Sequence, residues 1–294
     1  MRSISALAVL AVACSAPLAA QSLDSLTVRF AGFTTVSGYE QQVTDSLMML
    51  FPRATRDRLG DVSVTLGSGS PRRLVSCPLD EVGYAVGGIT SEGYLTLHRT
   101  GRPSVIRFRD SSRVVNPLFD QQLEGQRVTV FGVLGSLPGV VGVRSVHLTR
   151  GRPTSDAPFT ADDAYVDIGA QSAAEAASLG ARMLSPVALA KHPIRYGDDL
   201  AAPAVGRHAA CAALAAALLS HPKVSGSVVA SFTVQGLQGG NPGFSSVVAL
   251  RGPFAETLTA SLPVKYRETA AETVMMTDVQ ALEERLVKWI GGAK

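Results

Sequence analysis

Apolar residues recur along this chain at two periods, and the way the periods alternate predicts its architecture. In "VSGYEQQVTDSLMMLFP", Val43, Leu47 and Phe51 return at helical spacing and Pro52 ends the segment. Ser37 and Glu40 stand ahead of them in capping-box spacing, so the pattern predicts a helix that begins at Ser37. "DVSVTLG" and "RRLVSCPL" then read as short strands, neighbours in one sheet. From 88 to 160 the texture changes to short β-rich runs: "GYLTLHR", "SVIRFRD", "QRVTVFGVLG" and "VVGVRSVHLT", separated by Gly, Pro, Asn and Asp. Such a block predicts a small β-barrel or sandwich inserted into another domain.

After the block, "AYVDIGA" reads as a buried strand and "SAAEAASLG" as a short helix closed by Gly180. "APAVGRHAACAALAAALLSH" is an alanine-rich helix, and "VSGSVVASFTVQ" and "SSVVALRG" read as β-branched strands. The last helix is expected to start with Thr277 and Gln280 in capping-box spacing and to bury Val279, Leu282, Leu286 and Ile290. Strands alternating with helices on both sides of an insertion predict a three-layer α/β domain at 21–87 and 161–294. The β guest occupies 88–160.

The N-terminus changes the expected location. Arg2, an apolar run from Ile4 to Ala13 and a small-residue end near Ala20 form a signal peptide at 1–20, so export to a periplasmic or extracellular space is expected. A lipoprotein anchored through Cys14 is the weaker alternative. No later stretch is apolar enough to span a bilayer. With 46% hydrophobic residues the remainder is globular, and a net charge of +3 with scattered arginines excludes a nucleic-acid stripe. Cys77 and Cys211 remain after signal removal; the sequence leaves open whether they pair, and two separately buried thiols are the preferred reading.

Candidate chemistry starts at "SCPLDEVGY". The stretches "VSGYE", "LDEVGY", "EGYL", "LEGQRVTV", "GVVGVRSVHL", "YVDIGAQSAAEAASLGA", "APAVGRHAAC", "FTVQ" and "LPVKYRETAAETV" together resemble metallopeptidase family 42, the di-metal glutamyl and deblocking aminopeptidases. The resemblance implies a phosphorylase/hydrolase-like, zinc-peptidase-like α/β fold whose inserted β domain serves dimerisation. It also implies two zinc or cobalt ions activating a bridging water, with a glutamate as general base. Carried over position by position, however, the ligand histidine falls on Pro78 and the bridging aspartate on Gly206. The base falls on Gly236, and further ligands fall on Leu237, Arg251 and Glu268. Asp80, which orients the histidine in the family, is kept.

The expectation is therefore an exported homologue without a di-metal site, catalytically inactive, with no cofactor, in which Gly206 and Gly236 enlarge a cleft that binds a peptide or protein partner. It is also expected to be a homo-oligomer. One alternative is an active hydrolase with a rebuilt zinc or cobalt site on Asp80, His208 and Glu268. Another is a structural subunit of an aminopeptidase assembly. Asp198 and Asp199 read as solvated turn acids. "GSGSP" lacks the lysine of a phosphate loop, and no G-x-S-x-G elbow occurs.

Overall fold

The computed structural model describes residues 22–292 except 103–104, 108–112, 116–119, 121 and 144–159. The signal segment with Cys14, and His147, lie outside the described residues.

A five-stranded sheet forms the centre. Its strands are β1 (Thr55–Arg56), β2 (Val62–Gly67), β3 (Arg72–Pro78), β14 (Ser227–Thr233) and β15 (Glu256–Thr259), in the order β1-β2-β14-β3-β15. The two runs expected to be neighbours are thus separated by β14, which pairs antiparallel with β2 and parallel with β3. The sequence hides this because β14 is distant in the chain and buried along its whole length, so nothing local marks where it inserts. β15 also runs parallel to β3, so three strands point their carboxyl ends to the same edge.

Period-2 alternation sends side chains to opposite faces of this sheet. Val75 and Cys77 of β3, with Val228, Ala230 and Phe232 of β14, join the large core. On that face pack helices α1 (Leu23–Ala31), α2 (Gln41–Leu50), α4 (Val205–Leu219) and α6 (Met276–Gly291). Leu74 and Val229 point the other way, to Val247 on helix α5 (Pro242–Arg251). This is the three-layer arrangement expected. The run "SSVVALRG" is not a strand but part of α5. Its start is fixed by Asn241, whose side chain accepts from the Phe244 N–H, and by Pro242 in the first turn, a position that tolerates the missing N–H.

Neither capping box forms. The Ser37 hydroxyl donates to Asp80 Oδ2 at 2.7 Å, and α2 begins only after Glu40. Thr277 donates to Asp198 Oδ2 at 2.8 Å, while α6 still buries Val279, Leu282, Leu286 and Ile290. In both places a long-range acceptor outcompetes the local one. Asp198 therefore serves the start of α6, and Asp199 pairs with Lys265.

The β guest is a closed six-stranded barrel in the order β10-β5-β4-β11-β8-β9. Its strands are β4 (Gly83–Ile89), β5 (Leu95–Thr100), β8 (Arg127–Gly132), β9 (Gly135–Val143), β10 (Ala164–Asp167) and β11 (Pro186–Leu189). Closure needs β4, β10 and β11, so the barrel reaches beyond 88–160 on both sides. "AYVDIGA" supplies β10 of the barrel and not a strand of the central sheet. The short helix α3 (Ala173–Ser178) follows β10, with Ser172 accepting from the Glu175 N–H.

Cys77 and Cys211 form a disulfide, with Cα atoms 5.5 Å apart. The reading as separate thiols is corrected by the register of α4 on β3, which brings two cysteines 134 residues apart in sequence face to face in the core.

Candidate functional site

The carboxyl ends of β3, β14 and β15 open on a cleft of about 280 Å³, closed on the opposite side by the barrel. Ligand sites of α/β proteins collect at such strand ends because the loops there are free to carry chemistry. Pro78 ends β3, Leu237 follows β14, and Ala260 and Ser261 follow β15. Gly206 and Arg207 contribute the first turn of α4, and Arg267, Glu268 and Glu272 come from the loop before β16 (Thr273–Met275). From the barrel side, the Arg102 N–H donates to the Leu237 carbonyl at 3.0 Å and ties the two walls together.

Of the positions singled out in the sequence, Pro78, Gly206, Leu237 and Glu268 meet in this one cleft. Gly236 lies against it: a Cβ there would stand 3.0 Å from Asp80 Oδ1 and 3.1 Å from the Pro78 ring. A Cβ on Gly206 would stand 2.3 Å from a methyl group of Val264. Gly206 therefore does not enlarge the cleft, because Val264 takes the space its side chain would need, while at Gly236 a Cβ would sit in tight contact with Pro78 and Asp80. Arg251 does not belong to the site. It ends α5 and donates to the Thr55 hydroxyl at 2.5 Å, while the cleft position after the neighbouring strand is held by Ser261.

Three acids around the cleft, Asp80, Glu81 and Glu272, are committed to the fold. Asp80 is fully buried, accepting from the Ser37 hydroxyl at 2.7 Å and the Leu237 N–H at 2.8 Å, with Arg207 Nη1 3.4 Å from its other oxygen. Glu81, which the sequence pairs with Asp80 as hydrogen-bonded remnants in the cleft, accepts from the Thr35 N–H at 2.9 Å and forms a buried ion pair with Lys191. Burial pushes its carboxyl above the usual range, against the pull of the Lys191 ammonium. Glu272 accepts from the N–H of Gly206 at 2.9 Å and of Glu268 at 2.8 Å, so a carboxylate already caps the positive end of α4. Glu268 is engaged through its own backbone N–H and has a further partner.

His208 does not face the cleft. Its Nε2 lies 2.8 Å from the Thr35 hydroxyl, which spends its single hydrogen on the Leu79 carbonyl at 2.8 Å. Nε2 must therefore carry the proton and donate, leaving Nδ1 bare and without a partner. Burial, with Lys191 and Arg207 nearby, lowers its pKa well below the ordinary value, so the ring is neutral. The expected Asp80, His208 and Glu268 site is not assembled, because helix α4 turns position 208 toward Thr35. Its neighbour at 207 turns toward Asp80.

The backbone of the site is nonetheless special. Ala204, Gln235 and Glu268 adopt positive φ of 57°, 53° and 58°, conformations that cost non-glycine residues energy and collect at functional sites.

The family model for M42 glutamyl aminopeptidase matches residues 60–241. The chain belongs to the M42 family. The SgcX protein of Escherichia coli (strain K12) is 30% identical over 172 residues, covering 56% of this chain and 42% of that relative. The lysyl aminopeptidase of Pyrococcus furiosus is 28% identical over 221 residues, covering 68% of this chain and 60% of that relative. The chain thus matches about half the length of these curated M42 relatives. Among solved structures, the Pyrococcus horikoshii TET1 peptidase superposes with a TM-score of 0.77 at 20% identity, covering 92% of this chain and 99% of that one. It shares the fold, and it can assemble into a tetrahedron or a large octahedral shell.

The family resemblance implies a metal pair held at this cleft. Pro78, Gly206, Gly236 and Leu237 bring no side-chain donor, and Asp80, Glu81 and Glu272 are held by hydroxyl, backbone N–H or cationic partners. Among the described residues no three His, Cys, Asp or Glu side chains converge as a metal-binding group. This donor set does not fit a pair of zinc or cobalt ions, which requires several carboxylates and imidazoles facing one point.

Proposed function

We propose that this chain is an exported M42-family protein that uses the retained cleft to bind a short peptide and does not hydrolyse it. The observation that carries this reading is the filling of position 206: the Val264 methyl group occupies the room that a side chain there would need, and at Gly236 the Pro78 ring and the Asp80 carboxylate press close on the position. An isolated loss of one ligand would leave a hole. Here Val264 has closed over position 206, while the cleft, its strained loops and its barrel wall persist.

Export is supported by the N-terminal signal pattern and by the buried disulfide, since such bonds persist in oxidising compartments. Self-association is supported by the exposed Val133 and Leu134 at the β8–β9 turn, with Met183 and Leu184 also exposed after α3. The Val133 N–H donates to the Gly180 carbonyl at 3.0 Å, which ties the β8–β9 turn to the chain after α3.

The test is calorimetric titration of tripeptides with and without a strong chelator, followed by chromatography of the same samples. The expected result is reversible binding, unchanged by the chelator, with intact peptide recovered. Chelator-sensitive cleavage would contradict the reading.

A further inference from the structure

We propose that the cleft recognises the free carboxylate at the C-terminus of its peptide, and not the amino terminus. This rests on the peptide-binding reading above and deepens it. Three arginines line the cleft, each from a different element: Arg102 from the end of the barrel hairpin, where its guanidinium lies over Gly239, Arg207 from α4 and Arg267 from the loop before β16. Arg207 is held only loosely by Asp80, at 3.4 Å, and keeps about a third of its side chain exposed. Arg102 and Arg267 are exposed at the rim.

An amino terminus needs carboxylates that can turn to receive it. Two acids of the lining cannot do so without breaking the fold: Glu81 would leave Lys191 buried and unpaired, and Glu272 would uncap α4. Glu268 has a partner as well. Guanidinium forks, in contrast, match a carboxylate in two parallel hydrogen bonds, and the three together repel an ammonium. Leu189, Leu237, Leu262 and Val264 give the apolar walls on which the terminal side chain would rest. A volume of about 280 Å³ admits the last residue or two of a chain and no folded partner.

The test uses the folded protein and the tripeptide Ala-Ala-Leu in free, N-acetylated and C-amidated forms, with Glu-Ala-Leu amide as a fourth ligand. Acetylation is expected to change Kd by less than about threefold, and amidation to weaken binding by about tenfold or more, as for loss of a charge-assisted fork. Arg267→Gln, at an exposed position, is expected to leave the melting temperature unchanged, to weaken the free peptide by about tenfold and to leave the amide unaffected. Equal binding of amide and free acid overturns the proposal but leaves the peptide-binding reading standing, as does binding that is lost on acetylation. Recovery of full affinity by Glu-Ala-Leu amide means that the cleft reads an acidic side chain and also overturns it. Absence of binding by all four ligands overturns both.

Discussion

Asp61 lies at the start of β2 with one carboxylate oxygen accepting from the Val234 N–H at 2.8 Å and the other without a donor. Burial raises its pKa from 3.8 to about 7, with the Asp57 charge adding to the effect. Asp57 itself is lowered: burial works against its charge, but the Ser246 hydroxyl and the N–H groups of Gly60 and Asp61 outweigh it. Because the folded state holds the Asp61 proton more tightly than the unfolded chain does, the stability this gives is full below about pH 4 and is lost as pH rises through about 7. Asp61→Asn keeps the acceptor for Val234 and has no proton to lose. Its melting temperature should match the wild type near pH 4 and exceed it increasingly toward pH 8; a difference that does not vary with pH would contradict the assignment. At Gly206 the prediction concerns space. Gly206→Asp places a Cβ against Val264 and should cost about 1–3 kcal/mol in denaturant unfolding without creating zinc affinity, whereas a stabilised, zinc-binding variant would mean the site had only lost a ligand.

The disulfide acts between elements. It ties β3, one residue before Pro78, to α4, five residues after Gly206, and so fastens together the two elements that supply metal ligands in the family. Both sulfurs are buried, and the closed loop is long, with 134 residues separating the cysteines. Cys77→Ala with Cys211→Ala should lower stability by roughly 4–5 kcal/mol in the chain-entropy view, read from urea unfolding; a loss under about 1 kcal/mol would show that packing alone holds α4 on the sheet. The elements that the sequence made legible were those with a strong period: α4, α6 and the strands at 62–67 and 72–78. Those it concealed depended on distant partners. The helix at 242–251 was disguised by Val247 and Val248, and its real start signal, Asn241-Pro242, lies ahead of the run that reads as a strand. The Ser37 and Thr277 capping boxes failed because Asp80 and Asp198 offered better acceptors.

For the whole molecule, Pro78, Gly206, Leu237 and Glu268, the positions carried over by the resemblance, meet in one cleft, since chain order and strand direction fix where those motifs land. The resemblance misplaced Arg251, where the matching stretch was thin, and it could not foresee that Val264 would fill the space at 206 or that Lys191 would bind Glu81. Those are packing facts, made by residues remote in sequence. The barrel matters to the cleft as well as to any assembly, because Arg102 and Leu189 come from its side. The central claim is that this M42 cleft no longer holds a metal pair. It is tested most directly by loading the protein with zinc, removing the excess by buffer exchange and measuring the metal retained per chain. The account predicts that no stoichiometric zinc remains; two tightly held ions per chain would contradict it.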